Sequence, residues 1–76
     1  MSQGDIPSER IMHEALELFM SGEFRAINPG ATAEELAQDA ASFAILDAIT
    51  RGEKYPGIVD TAKQVEKLAD QTKGNN

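Results

Sequence analysis

The chain has 76 residues, with 13 acidic and 7 basic side chains for a formal charge of −6, and it contains no cysteine. That length allows a single domain burying only about 60% of the surface its unfolded form exposes, and the lack of cysteine excludes disulfide staples and thiolate metal sites. The acidic balance disfavours direct contact with a nucleic-acid backbone, and no run approaches the roughly 18 to 20 apolar residues of a membrane span. A cytoplasmic protein with no nucleic-acid or membrane partner is therefore expected. Aromatic residues are only 5% of the chain against 41% hydrophobic, so the core should be aliphatic and rich in alanine. For so small a core, assembly into a homo-oligomer is the remaining staple.

A first helix is expected over 6–21. Asp5 precedes Ile6-Pro7, and proline is tolerated in the first helical turn, which makes Asp5 the natural cap with Ser8 as a rival. Ile11, Met12, Ala15, Leu16 and Phe19 then form the apolar stripe of an amphipathic helix that should stop at Gly22. Leu18 and Met20 fall beside and behind that stripe and are candidates for contact with a partner protein.

The connection over 22–31 contains Pro29-Gly30, which suits the two central positions of a type II turn, and its Phe24 and Ile27 are expected to tuck onto the core. Thr32-Ala33-Glu34-Glu35 reads as a capping box opening a second helix over 32–51, with Gly52 as its stop. In the first half of this helix Glu34, Glu35, Gln38 and Asp39 lie opposite Leu36, Ala37, Ala40 and Phe43. In the second half Ile45, Leu46 and Ile49 point to the formerly polar side, as if the helix touched different neighbours at its two ends. Asp47 would then sit on an apolar arc, with Arg51 one turn later as its natural donor.

Ala37, Ala41, Ala44 and Ala48 recur at steps of 4, 3 and 4 along one edge, and the same spacing returns as Ile58, Ala62, Val65 and Ala69 in a third helix expected over 56–72. These two seams are the expected oligomer interface. Lys63, Glu66, Lys67 and Asp70 cover the flanks of the third helix, and the ends at 1–4 and 73–76 should fray. The fold class expected is all-α, a single small three-helix bundle.

Little chemistry can be assembled. His13-Glu14-Ala15-Leu16-Glu17 places His13 between Glu9 and Glu17 on one helical face but lacks the second histidine of a zinc protease motif. With one histidine and no cysteine there is no nucleophilic triad, and no glycine-rich cofactor loop is present. Catalytic, cofactor and metal sites are not expected. Arg51, Lys54 and Tyr55, around the Gly52–Gly57 link, form the one place where an anionic ligand could be received.

The function expected is that of a non-enzymatic interaction protein, a regulator, adaptor or inhibitor that occupies a partner's surface through Leu18, Met20, Ile45, Leu46, Ile49 and Tyr55. Two alternatives are an oligomeric binder or sponge for a nucleotide or similar anion, and an acidic mimic of nucleic acid. Short acidic helical chains of this type are common among bacterial and bacteriophage accessory proteins, an association of composition only.

Overall fold

The computed structural model describes residues 5–74, with side chains described over 9–72. Four helices follow in order: α1 (Asp5–Ser21), α2 (Glu23–Ile27), α3 (Ala33–Thr50) and α4 (Ile58–Gly74), and no strand occurs among the described residues. The chain is all-α. α3 packs against both α1 and α4, which also touch each other, so α3 lies in the groove between them.

Local chemistry sets most of the boundaries. α1 ends where Gly22 takes φ 81°, a left-handed conformation that a side chain would disfavour. The capping box at the start of α3 is complete: the Glu35 N–H donates to Thr32 Oγ1 at 3.1 Å, and the Thr32 N–H donates to Glu35 Oε1 at 3.0 Å. At its other end Gly52 adopts φ 74°. The Glu53 N–H reaches back to the Ala48 carbonyl at 2.9 Å and the Gly52 N–H to the Ile49 carbonyl at 3.0 Å, the paired bonds of a Schellman stop.

The connection after α1 departs from expectation. It holds a further short helix, α2, because the left-handed turn at Gly22 lets the chain restart at once with Glu23 favourably placed in the first turn. Phe24 is half-buried against the core and meets Phe43 edge-on, ring centres 6.1 Å apart. Ile27, the last residue of α2, instead remains 77% exposed, because the helix stops there before the chain turns at Asn28. The turn at Asn28–Ala31 is closed by the Ala31 N–H on the Asn28 carbonyl at 3.1 Å. Gly30 has no positive φ, so the turn is not type II; proline at its second position suits type I equally.

α4 begins at Ile58, two residues later than expected, with Pro56 outside it. Its first carbonyl is that of Gly57, which accepts both the Thr61 N–H at 3.0 Å and the Thr61 hydroxyl at 2.9 Å. α4 persists to Gly74, past the expected end at 72. The expected caps Asp5 and Ser8 concern side chains outside the described set, and the expected frayed residues 1–4 and 75–76 lie outside the described residues.

The core corrects the expected interface. Ala37, Ala41 and Ala44 are 0% exposed and Ala48 1%, all within one chain. A stripe of small side chains lets neighbouring helices approach to about 8 Å, and here the approaching helices are α1 and α4 of the same chain. Ala62, Val65 and Ala69 are likewise buried from the α4 side. Neither seam is available to a second copy, and Ile58 is its one member left on the surface, at 43% exposure. Ile45 is 4% exposed and Leu18 half-buried against the core, so these two belong to the fold and not to a partner surface. The greasy arc of α3 also does not rotate. Leu36, Ala40 and Ile45 extend the alanine edge on either side into one continuous buried face, and the other large side chains of the second half are left outside it.

Candidate functional site

The described surface carries its apolar residues in an ordered way. On α3, Phe43, Leu46 and Ile49 are 54%, 63% and 47% exposed. At about 100° per residue, Leu46 stands opposite the midpoint of the buried alanine edge, so it points straight away from α1 and α4. Leu46 and Phe43 share with Asp47 and Thr50 a shallow depression of about 180 Å³. After α3 in the chain, Tyr55, Ile58 and Val59 are also exposed. Leu46, Ile49 and Tyr55, expected from sequence as candidates for partner contact, are all exposed. Phe43, Ile58 and Val59 were not among those candidates, since Phe43 shares a helical side with Leu36 and Ala40 in the first half and Ile58 continues the α4 seam. Met20, on the far side of α1, is also open, beside Leu16 and His13 in a separate shallow hollow.

A polar corner borders this face. Arg10 of α1 sets one guanidinium nitrogen between the two carboxylate oxygens of Glu53, at 2.7 and 2.8 Å, and thereby ties α1 to the chain just past α3. Arg51 Nε donates to Asp47 Oδ2 at 3.1 Å, the one-turn pair that the apolar setting of Asp47 calls for. Glu14 faces the same corner. Its carboxyl is pushed above the ordinary value by partial burial first and by the neighbouring Asp47 second, with Arg10 and Arg51 pulling the other way. This arrangement fixes helix positions and offers no vacant cation, because each of its two guanidinium groups is already on a carboxylate.

The proposed anion-receiving residues are therefore only partly brought together. Arg51 is engaged by Asp47, while Lys54 and Tyr55 stand exposed on the extended link. His13 is exposed on α1, and among the described residues no group of three or more histidine, aspartate or glutamate side chains is arranged to hold a metal. No helix among the described residues is long and apolar enough to cross a membrane. Compared with known proteins, the chain matches no family model, no curated protein and no solved structure.

Proposed function

We propose that this chain is a non-enzymatic interaction protein, a regulator, adaptor or inhibitor that assembles as a homo-oligomer and works by occupying another protein's surface. The observation that carries the reading is the set of exposed large side chains Phe43, Leu46 and Ile49 on the outward side of α3, with Tyr55, Ile58 and Val59 exposed after it in the chain. Several large apolar side chains exposed on one helix face of a small domain support a surface that a partner covers. Tyr55 is of a residue type enriched among interface anchors, and Phe43, Leu46 and Ile49 supply apolar area beside it in the sequence. The anion-binding alternative is weakened by the engagement of Arg51 with Asp47, and the nucleic-acid mimic by bases interleaved among the acids of α4.

The test compares proteins retained by the immobilised wild-type chain and by three folded variants. A genuine partner is held by wild type and by Glu34→Lys but lost with Leu46→Glu or Tyr55→Ala. Equal loss from the glutamate reversal and from the apolar changes would overturn the reading.

A further inference from the structure

The interaction reading leaves open what covers the outward face of α3. We propose that a second copy of the chain does so, the two α3 helices pairing antiparallel across a two-fold axis that passes between Phe43 and Leu46. The inference rests on that reading and names the occupant of one part of the surface, leaving Tyr55, Ile58 and Val59 at the two ends of the pair.

Three features support a second copy. The first is spacing. Glu35, Asp39, Ser42, Leu46 and Ile49 step by 4, 3, 4 and 3 and fall within an arc of about 80°, all of them exposed. Leu46 and Ile49 make the second half of this stripe apolar, so the packed stretch is the second half of α3 with the acids at its rim. Ser42 at its middle is small enough for close approach, and the depression beside Leu46, bounded by Phe43, Asp47 and Thr50, can receive the large side chain of a facing helix.

The second feature is self-complementarity, which a two-fold interface requires. α3 has 18 residues and so is about 27 Å long. Its leading end carries Glu34, Glu35 and Asp39, and no lysine or arginine occurs between Arg25 and Arg51. Its trailing end is followed by exposed Lys54, while Arg51 there is already held by Asp47. Antiparallel pairing lays Leu46 of one copy on Phe43 of the other and brings Asp39 and Glu35 towards Lys54. It also opposes the two helix dipoles. Parallel pairing would set acid on acid.

The third is need. The largest fully buried side chains are only Ile11, Val65 and Thr61, and the chain has no cysteine to staple it. A second copy laid over Phe43, Leu46 and Ile49 supplies the apolar burial that the alanine core lacks.

The experiment is sedimentation equilibrium over a wide concentration range, with circular dichroism confirming the fold of each variant. Wild type is expected at twice the 8.2 kDa chain mass, and Leu46→Glu at the chain mass with helicity kept. Asp39→Lys and Lys54→Glu should each weaken self-association, while their equimolar mixture should pair more tightly than either alone, because each reversed end then meets its complement. A wild type that is monomeric throughout, a dimer that survives Leu46→Glu, or a mixture no tighter than its parts would overturn the proposal. A monomer that still loses a protein partner on Leu46→Glu would overturn the second copy and leave the interaction reading standing.

Discussion

The two faces of α3 invert the ordinary arrangement of a helix. The inward face is built from Ala37, Ala41, Ala44 and Ala48, each at most 1% exposed, whereas the outward face of the second half carries Phe43, Leu46 and Ile49, all at least 47% exposed. Size, and not hydrophobicity, separates them. Alanine stands where two helices of the same chain come close, with Leu36 and Ile45 at the flanks of that face, while Leu46 and Ile49 stand on the side turned to water. A surface of this kind is distinguished from a core by what it can tolerate.

The comparison breaks most sharply under charge. Ala44→Glu would bury a carboxylate with no donor, at a cost of several kcal/mol against a total stability of about 5 to 15 kcal/mol. Loss of the helical signal at 25 °C, or a collapse of the urea midpoint, is the expected result. Leu46→Glu, two residues away, should leave the fold of a single chain within about 0.5 kcal/mol of wild type. A similar loss in both variants would erase the distinction between the faces. Ala41→Leu tests size alone: over-packing of the inward face should destabilise by about 1 to 3 kcal/mol in chemical denaturation, although the residue becomes more hydrophobic.

The end of α3 is the next most sensitive place, since it sets where the outward face stops. Gly52→Ala forces a side chain into the left-handed region at φ 74°, and nothing lies within 4 Å to clash with it. The cost is therefore conformational, about 1 kcal/mol, read as a lowered denaturation midpoint.

The smallest effect concerns the polar corner. Glu14 titrates higher in the folded chain than an ordinary glutamate, so folding takes up a proton as pH falls through that range. Its contribution to stability is fully present below the ordinary glutamate value and is lost as pH rises through the raised one. Glu14→Gln should remove that slope, observed as a flatter plot of denaturation midpoint against pH on the acidic side of neutrality. A slope unchanged by the substitution would assign it to other carboxylates.

The features legible from the chain alone are those decided within a few residues. The Thr32–Glu35 box, the stops at Gly22 and Gly52, and the Asp47–Arg51 pair each depend on spacing of four or less, and each is present. The Arg10–Glu53 pair joins residues 43 apart, which only the packing of α1 on α3 brings together. The alanine seams were visible as seams, but a row of small side chains fits a helix of the same chain or of another copy equally well. Burial had to decide. Thr61 illustrates a different limit. It is polar, yet 1% exposed, because its hydroxyl returns to the Gly57 carbonyl one turn back and needs no water. On the candidate surface, Leu46 and Ile49 were named with Ile45 because all three fall on the side that is polar in the first half of α3; Ile45 is buried at the flank of the alanine edge, while Phe43, on the side of buried Leu36, is exposed because α1 and α4 leave that flank uncovered.

An alanine-lined interior also shapes how this fold responds to temperature. Alanine has no rotamers to surrender, so ordering the inward face of α3 draws almost nothing from side-chain entropy, and the cost of folding falls mainly on the backbone. The apolar area removed from water is correspondingly small, and with it the heat-capacity difference between folded and unfolded chains. A single copy should accordingly have a low, broad stability curve that varies little across ordinary temperatures. Covering Phe43, Leu46 and Ile49 on assembly would add the missing heat-capacity change and give the curve its curvature.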